Sequence, residues 1–395
     1  MGFFSPSETL DKPPAPSTPR CGACGLYKTC QSPKIELAGE GRRKILVVGE
    51  APGQQEDDDG ELFIGRAGKQ LGSTLWDVGE IKLFRDCWVT NALRCRPPDN
   101  RDPTPDELKS CLPYLAKEIE RLKPEIIVPL GRFGITAVLS LVWKAAVGGG
   151  NRWIGWQIPC QEWNAWICPT WHPAHIMRKL QDQSPIGLLF ERHIEAVGAL
   201  HGRPWEEVPD YEKQVRIEMD VDSAAAWLKG IGDDDVIAFD YEANMLKPDS
   251  NQARIHSCAV CVNGEQTIAY PWHGAAVRTT GDLLKSKVRK IGANIKFEER
   301  WTKKQFGHGV RNWVWDCNLA AHIIDNRPDV TSVKFQAFVL LGQALWNEKV
   351  GKFLQGPSNK PNRIADIDIM TLLRYNGLDA VLEYHVAKKQ KEWFQ

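Results

Sequence analysis

Lys44-Ile45-Leu46-Val47-Val48-Gly49-Glu50-Ala51-Pro52-Gly53 is the stretch from which the fold can be read. Its apolar run reads as a strand, and the Gly49 to Gly53 segment as the turn that ends it. A carboxylate (Glu56), an aromatic (Phe63) and a glycine pair (Gly65, Gly68) follow within one short loop. Similar apolar runs recur at 88–93, 126–130 and 166–170, with amphipathic segments between them. Strands separated by helical patterns predict a parallel α/β sheet, with its sites at the strand ends. Between two of these strands, Thr104-Pro105-Asp106-Glu107 forms a capping box with proline at the first helical position. It predicts a helix running toward Leu122.

At 395 residues the chain is long enough for two domains, each with its own core. Hydrophobic residues make up 43% and charged residues 25%, the balance of a soluble globular protein. Lys plus Arg equals Asp plus Glu at 50 each, so no global field attracts nucleic acid and any such contact depends on local patches. Residues 1–20 hold several prolines among Ser and Thr and read as a disordered leader, not as a signal peptide. No run of about 18 apolar residues predicts a membrane span. The expected location is the cytoplasm.

The first domain is expected over 21–200. A charged stretch with Pro204 and Pro209 then predicts a linker over 201–220 and a second α/β domain over 221–395. There Val236 to Phe239 reads as a strand ending in Asp240-Tyr241-Glu242. Arg254 to Val262 and Gln266 to Tyr270, joined through Asn263-Gly264, read as a hairpin. No internal repeat is found.

Eleven cysteines is a high number for a reducing compartment, where clustered thiols more often bind metal than form disulfides. Cys21 and Cys24 share a tight turn, Cys95 follows a strand and Cys111 lies in the capped helix. Four thiolates suit either zinc or a [4Fe-4S] cluster, with Cys30 and Cys87 as possible substitutes. Cys258 and Cys261 lie three apart on a strand, so their thiols point to opposite faces and chelate poorly.

Three separated motifs carry a resemblance over about residues 21–198. They are Gly49-Glu50-Ala51-Pro52-Gly53-Gln54-Gln55-Glu56-Asp57 with Phe63-Ile64-Gly65-Arg66-Ala67-Gly68; Thr90-Asn91 with Cys95 and Cys111; and Pro169-Thr170-Trp171-His172-Pro173-Ala174. Together they resemble the family 4, iron-sulfur uracil-DNA glycosylases. The resemblance implies an α/β/α sandwich and a [4Fe-4S] cluster on Cys21, Cys24, Cys95 and Cys111. Base removal needs a flipped base held in a pocket while it leaves as an anion. Phe63 is then expected to offer a stacking face and Asn91 to pair with the uracil edge. His172 is expected to donate to uracil O2, and Glu50 or Glu56 to position water or stabilise the sugar cation. Ile176 and Met177 are expected to wedge into the gap in the duplex, or else to be core residues at a helix start. His175 stands where the motif usually has Ala or Tyr.

In the second half, Asp240-Tyr241-Glu242, the Asn294-Ile295-Lys296-Phe297-Glu298 segment and Tyr375-Asn-Gly-Leu-Asp379 set carboxylates on a strand and on distant helices. Such a set binds two divalent ions that activate water and stabilise the leaving 3′ oxygen. With the Asp316 to Asp325 helix and Ser332-Val-Lys-Phe335, these residues look like the 3′-5′ exonuclease domain of bacterial DNA polymerase I. This implies a ribonuclease H-like fold, two Mg²⁺ or Mn²⁺ ions on Asp240, Glu242, Glu298 and Asp379, and Tyr375 orienting the water. Glu298 stands where that family has Asp. Only Ala380 to Gln395 follow Asp379, leaving no room here for a polymerase domain. The expectation is a DNA repair and replication hydrolase of the kind attached to some phage and bacterial polymerases. It is expected to act on uracil-containing DNA and on 3′ ends. The alternative is a docking subunit that holds DNA for a separate family A DNA polymerase.

Overall fold

A computed structural model describes residues 21–180, 184–357 and 360–394; the leader expected over 1–20 lies outside them. The chain divides into two compact units, Met1–Val208 with Gly342–Ala344, and Pro209–Leu341 with Leu345–Gln395. Among the described residues no helix is long and apolar enough to cross a membrane.

The first unit is built on a five-stranded sheet ordered β2-β1-β3-β5-β4. Its strands are β1 (Ile45–Gly49), β2 (Cys87–Asn91), β3 (Ile126–Pro129), β4 (Ile158–Cys160) and β5 (Ala165–Ile167). All pair in parallel except β4, which runs antiparallel to β5. Every residue of β1 is buried, the mark of a strand covered on both faces. The sequence reading missed β4, a three-residue edge strand with Pro159 at its centre, which gives almost no periodic signal. The helix Pro105–Leu122 forms as expected. Thr104 Oγ1 accepts from the Glu107 N–H at 3.3 Å, and Glu107 Oε2 accepts from the Thr104 N–H at 2.8 Å.

The tryptophan-rich stretch before β4 makes a packed cluster of its own. Trp153 Nε1 donates to the Val147 carbonyl at 2.8 Å and Trp156 Nε1 to the Arg152 carbonyl at 3.1 Å. The Arg152 guanidinium lies over the Trp153 ring at 4.7 Å. All three side chains are buried, so each indole N–H has the partner that burial demands.

The second unit carries a six-stranded mixed sheet ordered β11-β10-β7-β8-β9-β6. Its strands are β6 (Val215–Ile217), β7 (Val236–Ala243), β8 (Ile255–Val262), β9 (Gln266–Pro271), β10 (Arg289–Gly292) and β11 (Trp313–Asp316). The β8–β9 hairpin turns through Asn263 (φ 53°) and Gly264 (φ 75°), both left-handed, with Glu265 completing a three-residue connection between the paired Val262 and Gln266. Cys258 and Cys261 enter different cores on the two faces of this sheet. The long helix Ile369–Lys391 packs into one face, burying Leu373, Leu378, Val381 and Val386. A Cβ on its Gly377 would stand 2.3 Å from Val215 Cγ1, so glycine is what lets the helix approach β6.

Candidate active sites in the two units

In the first unit, the β1–β2 register sets Gly49 beside Asn91 at the C-terminal ends of neighbouring parallel strands. There the absence of a side chain matters. A Cβ on Gly49 would lie 2.2 Å from Asn91 Oδ1 and 2.9 Å from Phe63 Cζ, so the amide and the ring converge over that glycine. Phe63 is held in a left-handed conformation (φ 57°), uncommon for a bulky residue, and its carbonyl would stand 1.9 Å from a Cβ on Gly68. Both glycines of the site are therefore demanded by close approach.

His172 lies beyond the end of β5, across from Gly131, which follows β3. Gly131 has φ 66°, and a Cβ there would come within 2.7 Å of the His172 Cβ. His172 Nδ1 accepts the Ala174 N–H at 3.2 Å, which leaves the proton of a neutral ring on Nε2. Burial, aided by Arg178 and His175, pushes its pKa down to about 4, so the ring is neutral near pH 7.

Glu50, at the end of β1, is pushed up to about 6, chiefly by burial and then by Asp102, against the pull of Arg178 and Arg132. Glu56 is engaged differently. As the third residue of the helix Gln54–Asp59, it accepts the Gly53 N–H at 2.5 Å and so fastens the loop that follows Glu50. Ile176 is only 2% exposed and packs in the core with Phe190 and Ile194, which is the core alternative read from the sequence. Its side chain therefore does not stand ready to enter a duplex. Met177 keeps partial exposure.

In the second unit, ligand oxygens of Asp240 and Glu242 on β7 and of Asp379 on the helix Ile369–Lys391 lie within 4.8 Å of one another. Burial and then the neighbouring carboxylates hold the Asp240 and Glu242 pKa values well above the usual range. Glu298, on the helix Lys296–Phe306, is 3% exposed and stands outside that close group. Its Oε2 is buried without a hydrogen-bond partner, and its own pKa is raised by burial and by Asp240.

Three residues around the carboxylates went unread in the sequence. Asn376 Nδ2 donates to Asp240 Oδ2 at 2.7 Å, while its Oδ1 accepts from Ser257 Oγ at 2.8 Å. Trp346 Nε1 donates to Asp379 Oδ1 at 3.0 Å. Lys334 Nζ donates to Tyr375 Oη at 3.0 Å and stands 3.6 Å from Asp379 Oδ1. Asn376 was visible only as the neighbour of Tyr375, and Lys334 only as part of the Ser332–Phe335 segment. Trp346 had no local signal.

Comparison with known proteins bears on both units. The profile of the Uracil DNA glycosylase superfamily matches residues 38–191, and a profile described as 3'-5' exonuclease matches residues 215–392. The type-4 uracil-DNA glycosylase of Archaeoglobus fulgidus is 34% identical over 193 residues, covering 48% of this chain and 93% of that protein. The chain belongs to the type-4 uracil-DNA glycosylase family. Its glycosylase domain is fused to a 3′-5′ exonuclease domain, which makes the whole a hydrolase of the expected α/β class. A DNA polymerase of Bacillus phage SP01 is 26% identical over 325 residues, 74% of this chain but 34% of that polymerase. Among solved structures, the catalytic core of RRP6 from Trypanosoma brucei is similar at 16% identity over 46% of each chain, with a TM-score of 0.37.

Type-4 glycosylases are iron-sulfur enzymes, and the cysteines of this glycosylase domain suit such a group. Cys24, Cys30, Cys95 and Cys111 pack around Leu26 and Leu93. Burial pushes the Cys95 thiol up to about 12, with Cys30 and Cys111 adding to it, and Cys111 is likewise raised by burial and by Cys24 and Cys21. Thiols that raise one another are the donor set that a cation relieves. Cys87 lies apart in the sheet core, but Cys30 is hydrogen-bonded to Cys95.

Proposed function

We propose that the chain is bifunctional: the glycosylase domain hydrolyses the N-glycosidic bond of uracil in DNA, and the exonuclease domain removes nucleotides from 3′ ends by two-metal hydrolysis. The observation that supports this best is the gathering of Asp240, Glu242 and Asp379, whose ligand oxygens lie within 4.8 Å of one another, together with the convergence of Asn91 and Phe63 over Gly49 and the packing of His172 against Gly131 in the first unit.

In the glycosylase domain a uracil stacked on Phe63 presents its edge to the Asn91 amide. Asn91 pairs with O4 and N3–H, a pattern that cytosine does not offer. As the bond to the sugar breaks, negative charge grows on the base, and His172 Nε2–H donates to O2. A half-buried neutral donor that is already oriented costs little reorganisation at that moment. Glu50, ionised above about pH 6, stabilises the sugar cation or orients the water that attacks it. Glu56 holds the loop in register, and Met177 meets the gap in the duplex. Cys21, Cys24, Cys95 and Cys111 are the residues that would hold the [4Fe-4S] cluster, whose contribution is to tie the N-terminal turn to β2 and to the helix Pro105–Leu122.

In the exonuclease domain Asp240, Glu242 and Asp379 would hold Mg²⁺ or Mn²⁺, with Glu298 reaching them through water. Bound there, the ions would supply a lowered pKa for the attacking water and stabilisation of the leaving oxygen. Tyr375 orients that water. Its oxygen bonds to phosphorus as the P–O3′ bond breaks, and the leaving 3′ oxygen takes up a proton. Similarity to a phage DNA polymerase across both halves supports action beside a separately encoded family A polymerase, in the cytoplasm of a bacterium or phage-infected cell.

The test is one end-labelled oligonucleotide carrying a single uracil, incubated with and without Mg²⁺. The parent should make abasic sites in either condition and shorten 3′ ends only with the ion. His172→Ala should slow excision by roughly 10² or more, and Asp240→Ala should abolish digestion while sparing excision. A parent protein without digestion in either metal would leave the second unit a DNA-holding docking module.

A further inference from the structure

Tyr375 and Asp379 lie one helical turn apart, so the phenol and the carboxylate share a face of their helix and hydrogen-bond to one another. A phenol has one hydrogen and can donate it in only one direction at a time. What chooses that direction is the third group present. Lys334, on the helix Val333–Leu341, reaches in with its ammonium 3.0 Å from Tyr375 Oη and 3.6 Å from Asp379 Oδ1. The same ammonium lies 5.3 Å from the centre of the Tyr375 ring and 5.2 Å from that of Trp346. Trp346 in turn donates to Asp379 Oδ1. The lysine is thus held by two aromatic rings and a carboxylate.

We propose that Lys334 is a positioning residue of the exonuclease site, which fixes the Tyr375 hydroxyl by occupying one acceptor lone pair of its oxygen, so that its one hydrogen is given to Asp379 and its remaining lone pair accepts from the attacking water. An ammonium has donors and no lone pair, so its contact with Tyr375 Oη has one polarity only: Lys334 gives and Tyr375 accepts. The phenolic hydrogen must then point away from the lysine, toward Asp379 and the space beside it. Without Lys334, the hydroxyl is free to rotate and the water loses its fixed partner. The charge has a second consequence in the same place. Lys334 is the cation that offsets the repulsion among Asp240, Glu242 and Asp379. Removing it should tighten divalent-ion binding even as turnover falls, a pairing that simple damage to the site does not produce.

This inference rests on the exonuclease reading given above, and a double-mutant cycle separates the two. Lys334→Met, Tyr375→Phe and the double variant are compared by kcat for 3′ digestion at saturating Mg²⁺, with Mn²⁺ affinity measured directly by calorimetry. Lys334→Met should cost about 10-fold or more in kcat in the parent background but less than about twofold once Tyr375 is Phe, because the lysine acts through the phenol. Mn²⁺ should bind as tightly or more tightly. Lys334→Gln, still a donor to Tyr375 Oη, should retain more activity than Lys334→Met. If Lys334→Met unfolds, Lys334→Gln and Lys334→Arg run the same cycle. Equal losses in both backgrounds would overturn the inference and make Lys334 an independent contact, and so would weaker Mn²⁺ binding. A parent without metal-dependent digestion would remove the exonuclease reading and this inference together.

Discussion

Gly49→Ala tests the base pocket with a single methyl group. Gly49 does not occupy the left-handed region, so alanine brings no backbone strain and the whole effect comes from space. The new Cβ would sit 2.2 Å from Asn91 Oδ1 and 2.9 Å from Phe63 Cζ. Non-bonded carbon needs about 3.5 Å, so the amide must retreat by about 1 Å and the ring by about half that. Asn91 is 7% exposed, leaving its side chain little room to move aside, and overpacking of this kind costs roughly 1–3 kcal/mol of stability. A misplacement of about 1 Å in a positioning group costs roughly 10² in rate. Single-turnover uracil excision should therefore fall by about that factor, while affinity for an abasic duplex changes little. Gly72→Ala is the control. Its Cβ meets nothing nearer than Leu83 Cδ2 at 3.9 Å, and alanine inside the helix Arg66–Gly79 should raise the melting temperature. A Gly49→Ala protein that folds and excises uracil at the parental rate would refute the placement of the base between Asn91 and Phe63.

The pH dependence of excision should show a rising limb near pH 6, where Glu50 ionises, and none from His172, which is pushed down to about 4; Glu50→Gln should erase the limb in its residual activity. Because the folded pKa of His172 is depressed, its contribution to stability is present above its ordinary value of about 6.5 and is lost as pH falls through about 4. That loss is measurable as acid destabilisation that His172→Gln relieves. In the exonuclease domain the sign reverses. Asp240, Glu242 and Asp379 are raised, so the metal-free unit loses stability as pH climbs past the ordinary carboxylate range, and Mg²⁺ should raise its melting temperature more at about pH 8 than at about pH 5. Anaerobically purified protein should be brown with broad absorbance near about 400 nm. Cys95→Ser should bleach it, and a colourless parent with one bound zinc would reject the cluster. Glu298→Asp tests whether the buried carboxylate reaches the ions through water: nuclease rate should hold or rise, and a sharp loss would place Glu298 among the direct ligands.

Much of this was legible because the signals were local. Lys44–Gly53 announced a buried strand and its turn, Thr104–Glu107 announced a helix, and Asn263-Gly264 announced a hairpin, each through neighbours in sequence. The carboxylates Asp240, Glu242 and Asp379 were legible as motifs, and the fold brings them together. The remainder depends on partners far apart in the chain. Ile176 shows an apolar helix start whether it faces a core or a duplex, and only packing against Phe190 and Ile194 separates the two. Asn376 is tied to Asp240, 136 residues away, and Lys334 to Tyr375, 41 residues away. No periodicity in a single sequence reports such pairs.

The cysteine arrangement has a consequence for the order in which the first unit assembles. Cys21 and Cys24 sit on the N-terminal turn, whereas Cys95 and Cys111 become neighbours only after β2 has joined β1 and the helix Pro105–Leu122 has formed. Downstream of that turn, the chain is fastened largely by oxygen acceptors, besides the Lys34 N–H that donates to Cys95 Sγ at 3.3 Å. Asp57 accepts the Gln31 and Ser32 N–H groups, the Ile35 N–H donates to the Arg94 carbonyl, and Ala38 bridges Val89. Insertion of the proposed cluster would thus be a closing event on a sheet that already exists, because long-range contacts follow the local structure that brings them within reach. In cells short of iron, the product would be a folded sheet with one loose end, open to proteolysis ahead of Gln31 and intact beyond it.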